Sequence, residues 1–187
     1  MASRDVRVSE AAISVPPIWA RFSRDRRGAV AVAVAILLPV LIGFAGIGIE
    51  VGWWFAVQRQ NQSAADAAAL SAALEYAAHL EKGVPINPAG AAATTANYNL
   101  FSTTPPNTLA LYQCYGFRVG GSCNTSGSAG TLNAVQVVLT QPLNTTFAKL
   151  VTAIWGPNVN TVNVTTTAIA QFQKPPSGQT YQVYLAM

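Results

Sequence analysis

Side-chain catalysis needs a base, a nucleophile or a metal held in place, and this chain is poor in all three. Its one histidine is His79, and no acid follows Glu81. A serine or cysteine nucleophile beyond that point would lack the neighbouring base that activates it. His79 lies in an alanine-rich, helix-forming stretch and reads as a solvated or helix-end residue. Gly116, Gly120 and Gly121 have neither the lysine nor the spacing of a phosphate-cradling loop. Cys114 and Cys123 have eight residues between them, which is not a redox C-x-x-C pair. With a single histidine elsewhere they cannot complete a tetrahedral metal set. No catalytic residue, metal site, cofactor or small-molecule substrate is therefore expected. Asn61, Asn124, Asn144 and Asn163 each open an N-x-S/T triplet, which a tract rich in Thr and Asn produces by chance.

The feature that organises the chain is apolar. From Gly28 through Ile49, 22 residues carry no charge, and roughly 20 apolar helical residues span a bilayer core. Arg21, Arg24, Arg26 and Arg27 precede the run, and Trp53, Trp54 and Phe55 follow it. Basic flank, apolar run and aromatic belt, in that order, predict a single-pass anchor with a cytoplasmic N-terminus and interfacial aromatics at 53–55. A buried helix of a soluble protein rarely runs this long without a polar face. Signal-peptidase cleavage near Gly43-Phe44-Ala45 is disfavoured, because the apolar pattern continues well past it. The lipid bilayer is thus the first expected partner.

Charge supports this layout. Residues 1–27 hold six Arg and three acids, residues 28–81 hold Arg59 against four acids, and from Lys82 onward there are four cations and no acid. The net charge is +4, but four scattered cations do not form a phosphate-tracking stripe, so nucleic acid is not an expected partner. Charged residues are only 10% of the chain, against about 25% in ordinary soluble domains. Beyond the bilayer disulfides persist, so a Cys114–Cys123 bridge is expected there.

Within the anchor, Pro39 removes one helical hydrogen bond and predicts a local kink. Gly48 and Gly52, four apart, share a helix face on which another helix could pack closely; ordinary glycine enrichment of membrane helices explains them equally well. Glu50, the first charge after the run, reads as marking the outer interface rather than as a buried carboxylate. From Gln58 to Lys82 the sequence is alanine-rich and free of Pro and Gly. The helix is therefore expected to continue as a stalk, some 53 residues and roughly 80 Å in all. Ala67, Leu70, Leu74 and Ala77 predict a thin packing stripe toward a small sheet or another copy of the chain. Lys82-Gly83 predicts the stop.

Four divisions follow: a mostly disordered basic leader over 1–27, the anchor over 28–57, the stalk over 58–82 and an outer domain over 83–187. From Gly83 onward there are sixteen Thr and ten Asn. A short helix is expected over 89–99. Strands are expected over 109–115, 134–140 (stopped by Pro142) and 159–172, with an edge strand over 181–185 and a helical turn over 146–151. Lys174-Pro175-Pro176-Ser177-Gly178 reads as a break. The fold class is α+β, a long N-terminal transmembrane helix followed by a small antiparallel β-rich domain.

These residues carry a family likeness. Arg26-Arg27-Gly28-Ala29-Val30 opens the run, Leu38-Pro39-Val40-Leu41 and Gly46-Ile47-Gly48-Ile49-Glu50-Val51-Gly52 follow, and then Ala64-Ala65-Asp66-Ala67-Ala68-Ala69-Leu70-Ser71-Ala72-Ala73. The pattern resembles TadG-like proteins of the tight-adherence (Flp) pilus system and, less closely, TadE-like minor pilins. Val135-Gln136-Val137, Thr146-Phe147-Ala148-Lys149-Leu150 and Val162 to Ala170 resemble the later strands and turn of those domains. The resemblance implies a pilin-like outer domain, a bacterial inner-membrane location with that domain in the periplasm, and a role in pilus assembly or envelope anchoring. It implies other Tad pilus-assembly membrane proteins or minor pilins as partners, and self-association stays open. A prepilin-type cut would fall between Gly28 and Ala29, but Ala33 stands where such precursors usually carry Glu. The metal-binding motif of the von Willebrand A-type domain in longer members is absent from the sequence. The competing reading is a surface-displayed or secreted adhesive module.

Overall fold

The computed structural model describes residues 26–128, 131–149, 156, 160–173 and 180–186. The expected leader up to Asp25, the expected break at 174–178 and the end of the expected 146–151 turn lie outside them. The chain divides into two compact units, Met1–Ala45 and Gly46–Met187. One helix, α1 (Arg26–Lys82), contributes to both.

In the first unit the described residues are helical throughout, with Pro39 inside the helix. Their apolar side chains point outward: Ile36 is 66% and Phe44 70% exposed. Such a surface costs free energy in water and none in lipid. The described residues contain one helix long and apolar enough to cross a membrane, and its most apolar stretch is almost wholly unburied.

In the second unit α1 runs on to Lys82, as the unbroken alanine-rich sequence predicts. Gly83 ends it at φ +64°, donating its N–H to the His79 carbonyl at 2.8 Å. That is a left-handed cap, a conformation glycine adopts without steric cost. His79 is exposed and its Nδ1 meets the Val84 carbonyl at 2.7 Å, so it fastens the helix end. A second helix, α2 (Pro88–Tyr98), starts where the Asn87 side chain accepts the Gly90 N–H, with Pro88 in its first turn.

Four strands follow: β1 (Thr108–Tyr115), β2 (Leu132–Asn144), β3 (Thr161–Gln173) and β4 (Gln182–Ala186). They form one antiparallel sheet in the order β1-β2-β3-β4, each paired with its sequence neighbour. The architecture is α+β, as the sequence predicts. β2 does not stop at Pro142 but continues to Asn144. The reason is positional. The β1 pairing ends at Thr108↔Thr140, so beyond Thr140 β2 pairs only with β3, and proline is tolerated where one side has no neighbour.

The core lies between α1 and one face of this sheet. Val135, Val137 and Leu139 on β2 lie opposite Ala170, Ala168 and Thr166 on β3, and this face packs on Ala64, Ala65, Ala68, Ala69, Ala72 and Ala73. Tyr76 stacks on Phe172 with ring centroids 6.1 Å apart, and its hydroxyl accepts from Gln113 Nε2 at 2.7 Å. Asn61, 1% exposed, donates to Gln141 Oε1 at 3.0 Å. The expected stripe of Ala67, Leu70, Leu74 and Ala77 holds at Ala77, which is buried, and is corrected at Leu74, which is 53% exposed. Residues 58–82, expected as a stalk, are thus the helix on which the sheet is built.

Candidate functional site: the aromatic end of the domain helix

The sequence element that organises this end of the second unit is Gly46-Ile47-Gly48-Ile49-Glu50. Residues four apart share a helix face, so Gly46 and Glu50 stand one turn apart on the same side. The turn at 145–149 docks there. Helical residues at 147–149 leave the N–H groups at the start of the turn without intrahelical acceptors. Glu50 supplies them. Its Oε1 accepts the Thr146 N–H at 2.5 Å, and its Oε2 accepts those of Phe147 at 3.1 Å and Ala148 at 2.9 Å. One turn earlier the Phe147 ring lies against Gly46, where an added Cβ would sit 2.3 Å from Phe147 Cε1. Only a residue without a side chain admits the ring there. Thr145, 1% exposed, anchors the other side of the turn by donating its N–H to the Asn160 carbonyl at 3.1 Å.

Glu50 therefore caps a turn. The partner of Glu50 is 96 residues away in sequence. The signal that could have found it is local. Thr145-Thr146-Phe147-Ala148-Lys149 looks like a helix start, and such a start needs an acceptor.

The other expected residues fall as follows. Among the described residues nothing lies within 4 Å of an added Cβ at Gly48 or Gly52. Trp53 and Phe55 are 63% and 62% exposed. Trp54 is half-buried, and its indole N–H is buried without a hydrogen-bond partner among the described residues. A groove of about 350 Å³ runs between Val51, Trp54, Phe55 and Gln58 on α1 and Val162 and Val164 on β3. A second, of about 330 Å³, lies between Ile49, Trp53 and Trp54 on α1 and Asn144, Thr146 and Phe147. Gly28 and Ala29 lie near the start of α1, with nothing among the described residues within 4 Å of an added Cβ at Gly28. Cys114 and Cys123 are joined, with their Cα atoms 5.0 Å apart, under Phe117 and Ala134 on the sheet face away from α1. His79 meets the Val84 carbonyl and serves the helix end.

The apolar run, the glycines and the alanine face form one continuous helical element, and a family match covers it. Residues 28–77 match the Tad family, described as Flp pilus-assembly TadE/G-like. This TadE/G-like segment is a little over a quarter of the chain, and it holds Gly46, Glu50, the tryptophans and most of the alanine face. It is the family that the sequence motifs resemble. Comparison with curated proteins and with solved structures finds no match. The family match and the apolar helix together support a membrane-anchored, pilus-related component.

Proposed function

We propose that this protein is a single-pass structural component of a Tad (Flp) pilus-assembly apparatus, held in a bacterial inner membrane. Its N-terminus is cytoplasmic, residues 28–57 are the anchor, and the α+β domain stands in the periplasm. One observation carries the reading: the TadE/G-like match covers an outward-facing apolar helix that turns, without a break, into the core helix of a folded domain. A helix shared in this way transmits position rather than performing chemistry. The work of the molecule is scaffolding. The open face at Gly48 and Gly52 lets a helix of another pilus-system membrane protein approach closely, where dispersion contacts between backbones replace contacts with lipid.

The test is photo-crosslinking in membranes of cells that carry the pilus system. Phe55 projects from the same side as Gly48 and Gly52 and is exposed, so it is replaced by benzoyl-phenylalanine. The expected result is an adduct with a pilus-system membrane protein, identified by mass spectrometry and lost in Gly52→Leu. An adduct unchanged by Gly52→Leu, or none but lipid, contradicts the glycine-face mechanism.

A further inference from the structure

We infer that the open edge of β3 over 161–168 is a docking site for an extended segment of a partner protein, which joins the sheet there as an added strand. All the observations lie in the second unit. β3 runs from Thr161 to Gln173, but β4 pairs with it only from Ile169 to Gln173. Among the described residues no strand pairs with the outer side of 161–168. The opposite edge of the sheet is strapped: Cys114 on β1 is tied to Cys123, and Tyr115 donates its N–H to the Asn124 carbonyl at 2.9 Å. Bare edges are commonly blunted by charge, proline or a bulge. The stretch Thr161-Val162-Asn163-Val164-Thr165-Thr166-Thr167-Ala168 has no charge and no proline, and its register with β2 is unbroken.

The ladder fixes which backbone groups face out. Thr145 donates its N–H to the Asn160 carbonyl, a hydrogen-bonded pair next to Asn144↔Thr161, and antiparallel pairs alternate between bonded and non-bonded. Pro142↔Asn163 and Thr140↔Thr165 are therefore non-bonded pairs, which suits a proline without an N–H. The N–H and C=O groups of Asn163, Thr165 and Thr167 thus point away from β2. The Thr167 carbonyl already accepts from Gln62 Nε2 at 3.2 Å, and Asn163 and Thr165 form the open row. Such a row is matched by another backbone, with specificity coming from pockets for alternate side chains. A pocket is in place. The groove of about 350 Å³ between Val51, Trp54, Phe55 and Gln58 on α1 and 162–165 on β3 flanks this row, and no lining residue is charged. Alternate side chains of an added strand point toward α1 and into it. The buried side-chain atoms without a partner among the described residues, Trp54 Nε1 and Thr166 Oγ1, both belong to residues at this edge. A carbonyl oxygen of the segment filling the groove gives the indole N–H its acceptor.

A second copy of this chain is a poorer occupant. Its β1 edge is strapped, and its β3 edge has α1 lying along it. Paired strands are about 4.8 Å apart, whereas packed helices need about 8–10 Å between axes, so two such edges brought together crowd one α1 against the other. A strand with no helix behind it meets no such conflict. The occupant is therefore an uncharged, extended segment of about five residues with an apolar side chain at an alternate position.

The test has two parts. In the purified full chain, disulfide intact and in nanodiscs, amide exchange should be fast at Asn163 and Thr165 and slow at Val162 and Val164, which bond β2. Equal protection at all four would mean the edge is already covered, and would overturn the inference. In the cells that make the protein, Gln58, exposed and lining the groove, is replaced by benzoyl-phenylalanine. The expected adduct is with another protein, and peptide mapping places the crosslink within an uncharged extended segment. Thr165→Pro removes an outward N–H and leaves the bonds to β2 in place, so it should lower the adduct several-fold, whereas Thr165→Val keeps the backbone and should not. Asn163→Lys, at an exposed position, puts a charge on the edge without touching the ladder and should also lower it several-fold, whether or not the proline variant folds. An adduct joining two copies of this chain overturns the choice of occupant. An adduct unchanged in Asn163→Lys and in a folded Thr165→Pro, or no protein adduct at all, overturns the docking site.

Discussion

Replacing Glu50 by Ala removes the acceptor for three backbone N–H groups at once. The Thr146 N–H is exposed enough for water to replace the carboxylate, whereas those of Phe147 and Ala148 are partly buried. Leaving a buried donor unsatisfied costs about 1–3 kcal/mol. Two such donors, partly relieved by water, make docking of the turn less favourable by about 2–4 kcal/mol, which corresponds to roughly one and a half to three powers of ten in its opening equilibrium. Amide hydrogen exchange of the full chain in detergent or nanodiscs reads this directly. Protection at 146–148 should fall by about that factor in Glu50→Ala, and by less in Glu50→Gln, which keeps one carbonyl oxygen. Protection in the middle of β2 and β3 should not change. Equal protection at 146–148 in Glu50→Ala and the native chain would refute the capping role. A fall spread evenly over the sheet would refute the local picture.

Other consequences are as direct. Gly46→Leu should destabilise the domain by about 1–3 kcal/mol by displacing the Phe147 ring; in a double-mutant cycle by thermal unfolding, Phe147→Ala should recover part of the loss. Phe172→Ala empties a site that is 2% exposed and stacked on Tyr76, so denaturant unfolding should show a loss of about 3–5 kcal/mol. Tyr112→Ala, at an exposed position on the other face, should change it by less than about 0.5 kcal/mol. Peptide mass mapping without reductant should find Cys114 joined to Cys123, and a Cys114→Ala/Cys123→Ala pair should cost about 2–3 kcal/mol, as expected for opening so short a loop.

How much of this was legible depended on whether the information was local. The apolar run from Gly28 to Ile49, the continuation to Lys82 and the stop at Gly83 rest on composition and caps, and all could be read directly. So could the strands, because β3 alternates buried and exposed positions from Val164 to Phe172. Pro142 misled, since whether a proline ends a strand depends on whether a second strand flanks it, which no local pattern states. The packing face of α1 misled for a related reason. Leu70 and Leu74 are the more hydrophobic side chains, but the sheet settled on the alanines, whose small side chains leave room for Tyr76, Phe172 and Leu139. For the Glu50 contact the sequence offered only half the signal: a helix start at 145–149 needs an acceptor, but nothing local says which residue supplies it. A carboxylate at the end of an apolar run looks the same whether it meets water or the amides of a turn 96 residues on.

The central claim is that the Gly28–Ile49 helix lies in lipid and holds the α+β domain to a membrane. The most direct measurement is the partition of the full-length protein, expressed in a Gram-negative host, after gentle lysis, ultracentrifugation and an alkaline carbonate wash of the pellet. The account predicts that the chain stays in the washed membranes and leaves them only with detergent. Recovery of the intact chain in the supernatant, before or after the wash, would contradict it.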